Sequence, residues 1–355
     1  MKRSKIAIIA GDGIGPEVVD AAFPIIEAAA RAEGLTLEVE RLPYSADHYL
    51  ATGETLPDEA FEHLRDDVDA ILVGALGDPR VPGNEHARDI LLGLRFRLDL
   101  YINFRPTHLF HPKLSPLRTD RRSDGGSTAI DFVIFRENTE GQYTGRGHSE
   151  FLGTPDETHV SEELNTRKGV ARIIEAAFAW AAANGKTRVT MSDKSNAIPF
   201  QRLWGRLFQE IGERYPTIQR EHRYVDALAL ELVREPERFQ VIVTTNLYGD
   251  ILSDLGAGLI GGMGIAASAN LHPGRAGLFE PVHGSAPPLV GKQAANPMAT
   301  VLTGALMLEQ LDCAAGAARL TRAVERVVGS GPLTPDLGGR GTTSEVARAL
   351  AGALN

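Results

Sequence analysis

Val241-Ile-Val-Thr-Thr-Asn-Leu-Tyr-Gly-Asp-Ile-Leu-Ser-Asp-Leu255 reads as a buried strand, Val241 to Val243, that passes through polar residues at Thr244 to Asn246 into a helix. That helix carries Asp250 and Asp254, whose spacing puts both carboxylates on one face, a turn apart. Like charges so placed repel by roughly 0.2–0.5 kcal/mol, so a cation between them would account for the pair, and hard oxygen ligands select Mg2+ or Mn2+. The alternative is two solvated acids on an exposed face. Gly249, Gly256 and Gly258 leave the backbone uncrowded, and the strand delivers the helix from a core position, where open α/β sheets place their ligands.

Outward from this stretch, 355 residues suffice for two domains or one large α/β unit with a divided core. A net charge of -9 and a pI near 5.6 argue against nucleic acid as a partner, which favours basic surfaces. Acidic substrates would need local basic clusters. The single cysteine, Cys313, excludes an intrachain disulfide and fits a reducing cytoplasm. The N-terminal Lys2-Arg-Ser-Lys5 followed by Ile6-Ala-Ile-Ile-Ala10 resembles a signal peptide, but the apolar run is short and Gly11-Asp-Gly13 follows at once, so a first strand is expected. No stretch approaches the roughly 20 apolar residues of a membrane span.

Strand Lys5–Ala10 runs through Gly11-Asp-Gly-Ile-Gly-Pro-Glu17 into a helix over Pro16–Ala32, a strand-to-helix turn able to cradle an anion. The third glycine of a Rossmann fingerprint is missing, because position 16 is Pro. Strands at Thr36–Arg41 and Ala70–Gly74 and a helix at Pro57–Asp66 continue an α/β alternation. A helix over Ala87–Asp99 mixes arginines with leucines. Arg95, Arg105 and, after strand Ile130–Phe135, Arg136 each fall at or just past the end of an element, where guanidiniums can clamp carboxylates. Loop Gly145–Glu163 is polar and without period, a candidate arm for a partner chain. Then come helix Thr166–Asn184, strand Arg188–Met191 ending at Asp193-Lys194-Ser-Asn196, helix Phe200–Tyr215, and Asp226 as a further carboxylate at a strand end. Beyond the opening stretch, Gly261–Gly264 and Glu280–Pro287 form a second glycine-rich region that can offer backbone donors to phosphates, and a core helix spans Pro297–Leu311.

Taken together, these segments resemble the β-decarboxylating dehydrogenases, which act on 3-isopropylmalate, isocitrate, homoisocitrate or tartrate. The matching motifs run along nearly the whole chain: Gly11–Glu17, Leu94-Arg95 with Arg105-Pro106, Arg136-Glu-Asn-Thr-Glu-Gly141, Asp193–Asn196, Tyr224-Val-Asp226, Asn246–Asp254, Glu280-Pro-Val-His-Gly-Ser-Ala-Pro287, Ala295-Asn-Pro297 and Thr334-Pro-Asp-Leu-Gly-Gly339. The resemblance implies a two-domain isopropylmalate dehydrogenase-like α/β fold with a non-Rossmann dinucleotide site. Its first domain would comprise residues 1–100 and 261–355, and its second residues 101–260 with an arm at about 145–165. It also implies a homodimer with shared sites, in which Lys194 and Asp226 serve the neighbouring subunit's site while Asp250 and Asp254 are metal ligands at home. Arg95, Arg105 and Arg136 would hold the malate carboxylates. Ile14, Glu280, His283, Gly284, Ser285, Ala286 and Asn296 fall on the cofactor contacts.

The implied chemistry is hydride transfer from C2 to the nicotinamide while Lys194, with Asp226 or water, takes the hydroxyl proton. CO2 is then lost from C3 of a ketone polarised by Mg2+ or Mn2+, and Tyr143 protonates the enolate. Two positions depart from the family. Pro288 stands where NAD-binding members carry an acid and NADP-binding members a cation, which leaves NAD favoured and NADP open. Leu91 and Leu92 suit an isopropyl group, but Arg88 replaces a glutamate and would suit an anionic C3 substituent. The expected substrate is 3-isopropylmalate, followed by isocitrate, homoisocitrate, tartrate or another anionic malate. A regulatory paralogue without activity is the non-enzyme reading, which the presence of Tyr143, Lys194, Asp226, Asp250 and Asp254 opposes.

Overall fold

A computed structural model describes residues 2–117 and 129–354 of the chain. In order, its elements are β1 (Lys2–Gly11), α1 (Gly15–Ala32), β2 (Leu35–Leu42), α2 (Ala46–Thr52), α3 (Asp58–Asp66), β3 (Ala70–Ala75), α4 (Glu85–Arg97), β4 (Ile102–His108), β5 (Asp131–Glu137) and the short strands β6 (Gly147–Glu150) and β7 (Thr158–Ser161). They continue with α5 (Arg167–Ala183), β8 (Arg188–Asp193), α6 (Arg202–Gly212), β9 (Gln219–Tyr224), α7 (Val225–Arg234), β10 (Val241–Thr244), α8 (Asn246–Ile260), β11 (Ala267–Leu271), β12 (Gly277–Pro281), α9 (Met298–Gln310), α10 (Ala314–Ser330) and α11 (Thr343–Gly352). The chain divides into two compact units. Unit 1 is Met1–Leu100, Pro106–Ile130 and Gly256–Asn355, and unit 2 is Tyr101–Arg105 and Asp131–Leu255. Two boundaries thus differ from the sequence reading: Pro106–Ile130 and Gly256–Ile260 belong with the chain ends, because β4 and α8 each change unit part-way along.

Unit 1 is built on strands in the order β2-β1-β3-β12-β11, parallel except for the β12–β11 pair. Apolar residues fill β1 from Ile6 to Ile9 without alternation, as in a strand covered on both faces. Ala7 and Ile9 enter a core with Phe61, Leu64, Ile90 and Leu94 from α3 and α4, so strand periodicity turns Ile6 and Ile8 to the opposite face. Helix α1 starts without a side-chain cap, with Pro16 in its first turn, where a missing N–H costs nothing. Gly11 precedes it at φ 75°, and a Cβ there would collide with the Ala75 carbonyl that accepts the Asp12 N–H at 2.7 Å. Gly11→Ala therefore carries left-handed strain of about 1–3 kcal/mol and an overpacking cost of similar size. We expect the urea midpoint to fall by the equivalent of at least about 2 kcal/mol, and a loss under about 0.5 kcal/mol would mean that the turn is not pinned in this way.

Unit 2 has the order β4-β5-β10-β8-β9, and β5, β10, β8 and β9 pair in parallel. Helix α5 is N-capped by Thr166, whose hydroxyl accepts the Gly169 N–H, and it buries Val170, Ile173, Ile174, Ala177 and Phe178 at the expected helical spacing. The segment read as an unpatterned loop holds an antiparallel pair, β6 with β7, exposed at every position. No burial alternation marks those strands because neither face meets a core.

Candidate active site

In unit 2 the polar end of β10 leads into α8, and α8 presents Asp250 toward two residues singled out above. The Tyr143 hydroxyl donates to Asp250 Oδ2 at 2.8 Å, and the Arg136 guanidinium pairs with Asp250 Oδ1. Arg136 also donates from Nε to Asn246 Oδ1 at 2.9 Å, and its guanidinium stands 5.4 Å from the Tyr143 ring centroid. Gly249 has a specific task here: a Cβ would collide with Arg136 Cβ and Cγ, so the glycine lets a buried arginine lie against the helix. Asp254, one turn on, reaches solvent, yet its carboxyl is pushed above the usual range, first by the protein crowding it and then by the charge of Asp250. Arg105 and Arg136 oppose that shift. Arg105 sits inside β4, not at an element's end as the sequence suggested, and donates to Asn103 Oδ1 at 2.7 Å along the same strand face.

The loop that carries Tyr143 is fixed by two carboxylates, buried Glu137 and half-buried Glu140. Glu137 accepts the Thr139 and Glu140 N–H groups at 3.0 and 2.7 Å and the Thr139 hydroxyl at 2.8 Å; burial raises its pKa while those donors oppose the rise. Glu140 accepts the Thr166 N–H at 2.7 Å, tying the loop to the start of α5.

Lys194 and Asp226 form a separate pair in the same unit, Nζ to Oδ1 at 2.6 Å, and the lysine holds the Asp226 carboxyl below its ordinary range. Asp226 is not at a strand end. It lies in the first turn of α7, which follows β9 directly, where the helix dipole favours an acid. Among the described residues no three His, Cys, Asp or Glu side chains gather as metal ligands, so Asp226 does not join Asp250 and Asp254 within one chain.

Unit 1 brings the two glycine-rich segments together. The Ile14 N–H donates to the Ser285 carbonyl at 2.9 Å, and a Cβ on Gly13, at φ 58°, would collide with that carbonyl. Ala286 follows in a left-handed conformation and opens the short turn Pro287–Leu289 that contains Pro288. Gly284 is exposed beside His283, and burial of the His283 ring lowers its pKa. Asn296 Nδ2 donates to Asp336 Oδ2 at 3.1 Å. Arg95, in the last turn of α4, meets Glu280 Oε1 of β12 at 2.6 Å. Leu91 packs partly against the α3–α4 core, Leu92 is half-buried, and Arg88 is exposed on the helix surface with Asp89 as a distant ion partner at 4.0 Å.

The sequence reading missed Asp12. Its buried carboxylate accepts the backbone N–H of Ala46 at 2.6 Å and of Gly77 at 2.8 Å, and Oδ2 lies 2.7 Å from His86 Nε2 in the first turn of α4. One residue thereby ties the glycine-rich turn to the helix that carries Leu91, Leu92 and Arg95. An acid flanked by glycines in a buried turn was the available signal.

Comparison with known proteins gives a consistent picture. The family model described as isocitrate/isopropylmalate dehydrogenase matches residues 5–350. A 3-isopropylmalate dehydrogenase of Thermobifida fusca is 44% identical over 323 residues, 90% of each chain, and one of Mycobacterium tuberculosis is 44% identical over 326 residues, 90% of this chain and 93% of its own. The crystal structure of isocitrate dehydrogenase from Methylococcus capsulatus superposes with a TM-score of 0.87 at 37% identity, covering 99% of both chains.

Proposed function

The chain belongs to the isocitrate/isopropylmalate dehydrogenase family and is a dehydrogenase, and from that premise we propose that it oxidatively decarboxylates 3-isopropylmalate with NAD and a divalent cation. The observation that carries this reading is Asp250, shared by the Tyr143 hydroxyl and the Arg136 guanidinium and one helical turn from Asp254. A proton donor, a carboxylate clamp and an acidic pair thus converge on one helix face.

Asp250 and Asp254, with Asp226 from a second copy, are the residues that would hold Mg2+ or Mn2+. They fit such a cation, because Asp250 and Asp254 stand one turn apart on α8, and burial first and the charge of Asp250 second raise the Asp254 carboxyl, a cost that a bound cation would relieve. When bound, the cation supplies positive charge at the C2 oxygen, and NAD supplies the hydride acceptor. In unit 2, Arg105 and Arg136 orient the malate carboxylates. Lys194, once it has passed one of its own protons to Asp226 or to water, receives the C2 hydroxyl proton. Tyr143 delivers a proton to C3 after CO2 departs, and its hydrogen bond to Asp250 aims the hydroxyl. In unit 1, Ile14, Glu280, the His283–Ala286 turn and Asn296 hold the dinucleotide; the absence of a cation at Pro288 favours NAD over NADP.

Homodimerisation follows from the same reading. Lys194 and Asp226 pair with each other and do not reach the Asp250–Asp254 pair in their own chain. Unit 2 also leaves Phe200, Leu230, Val233 and Ile251 in water, the apolar surface a partner would cover, and the β6–β7 arm has no core of its own. No helix of the described residues is long and apolar enough to cross a membrane. A reducing cytoplasm suits the buried thiol of Cys313.

Substrate choice rests on the relatives and on Leu91 and Leu92, with Arg88 as the feature that favours an anionic C3 group. In a panel of 3-isopropylmalate, isocitrate, homoisocitrate and tartrate, each with NAD and NADP, we expect one CO2 per NADH and a kcat/KM for isopropylmalate at least about tenfold above the rest, as loss of the apolar fit implies. Preference for an anionic analogue, abolished by Arg88→Glu, would reassign the substrate.

A further inference from the structure

Between the foot of the β6–β7 arm and the turn bearing Lys194, unit 2 contains a run of half-buried hydrogen bonds that the chemistry above does not use. Gln201 is at its centre and is 1% exposed. Its Oε1 accepts the backbone N–H of Lys194 at 2.6 Å. Its Nε2 donates to both carboxylate oxygens of Glu163 at 2.9 Å and lies 3.4 Å from the Tyr248 hydroxyl. Glu163 follows β7 closely and also accepts from Asn165 Nδ2 at 2.9 Å, while Asn165 Oδ1 accepts the indole N–H of buried Trp204 at 2.8 Å. A cavity of only about 10 Å³ adjoins Glu163, Gln201 and Tyr248, so at most a single water fits beside the network.

Such a glutamine is held firmly. A buried amide needs partners for both of its ends, and bonding to a carboxylate makes one of them charge-assisted. The Lys194 carbonyl is fixed too, accepting the Ala197 and Ile198 N–H groups at 2.9 and 2.8 Å. With its N–H and C=O both engaged, only the lysine side chain remains to swing toward Asp226. On the other flank of the arm, the Gly141 N–H donates to the Leu164 carbonyl at 2.8 Å, so the foot of the arm also borders the loop that carries Tyr143.

We propose that Gln201 and Glu163 are positioning residues for Lys194: Gln201 sets the lysine's backbone, and Glu163 sets Gln201 from the foot of the arm, so that seating of the arm registers the lysine. The proposal rests on Lys194 as the proton-transfer group. Gln201→Met keeps the size of the side chain and removes its hydrogen bonds. It should speed hydrogen exchange at the Lys194 amide by about tenfold, as loss of one hydrogen bond implies, and lower kcat by a similar factor while KM for malate and nicotinamide substrates stays within about twofold. Glu163→Ala, at a half-buried site that does not touch Lys194, should speed the same amide, and Glu163→Gln, which keeps an acceptor oxygen, should restore most of kcat.

Unchanged exchange at Lys194 in Gln201→Met, or exchange that rises across the whole unit together with parallel changes in kcat and KM, would overturn the proposal. If Gln201→Met does not fold, Glu163→Ala decides by the same criteria. Wild-type turnover in Lys194→Ala would overturn the reading of the lysine itself, and that failure is distinguishable because exchange at its amide does not depend on turnover.

Discussion

Lys194→Ala and Tyr143→Phe enzymes should each lose about 10²–10⁴-fold in kcat and should regain activity when their subunits are mixed. The expectation follows from where the two residues stand. Tyr143 donates to Asp250, whereas Lys194 pairs with Asp226, and among the described residues no third acid joins Asp250 and Asp254 within one chain. In a two-fold dimer with exchanged sites, a mixed pair builds one site from the intact tyrosine of one subunit and the intact lysine of the other. The second site of that pair carries both lesions. Random exchange of equal amounts makes half the dimers mixed, so activity should return to roughly a quarter of wild type. Mixtures that stay inactive after mass spectrometry confirms exchanged dimers would show that each chain builds its own site.

The alternation of strands and helices was legible because β1, β3 and β10 are runs of buried aliphatics and α1 and α5 keep apolar residues at helical spacing. Helix α2 escaped notice. It spans only Ala46–Thr52 and is defined by its ends, a Ser45 side chain that accepts the His48 N–H and a left-handed Gly53, more than by any apolar face. Strands β11 and β12 hide for a different reason: Ala267–Leu271 contains no β-branched residue, and Gly277–Pro281 begins with glycine and ends with proline. Their order comes from pairing with each other and with β3, which no local pattern encodes. Helix α7 is similarly masked because β9 runs into it without a loop, so Asp226 reads as a strand-end residue.

At the site, residue type and motif order pointed to the acids, the arginines, Tyr143 and Lys194. What the sequence withholds is partnership. Gly249 is small because Arg136 crosses α8 there, and the spacing between positions 136 and 249 carries no trace of that crossing. The same holds for Asp12 with His86 and for Gln201 with Glu163, pairs far apart in sequence whose members each look ordinary alone.

Chelation should abolish turnover, and Mg2+ or Mn2+ should restore it. A divalent ion provides several kcal/mol of charge stabilisation at an oxygen that becomes negative, so its removal corresponds to on the order of 10³-fold or more. Asp250→Asn should resist rescue at any practical metal concentration, since the amide loses the ligand charge and the counter-ion of Arg136 and keeps one acceptor oxygen where the carboxylate had two. A readout independent of turnover comes from Asp254. Its pKa is raised in the folded chain, so the fold binds a proton there more readily than the unfolded chain does, and the ionised carboxylate costs stability above that raised value. As pH falls through it, protonation relieves the cost. A cation relieves the same cost at higher pH, in competition with the proton. The Tm gain on adding Mg2+ should therefore be small at pH values below the ordinary carboxylate range and should grow as pH rises through and beyond it. Asp254→Asn should flatten that dependence. Full activity in EDTA, or a Mg2+-induced shift that does not vary with pH in wild type, would remove the cation from between these two carboxylates and leave them as acids on a solvated face.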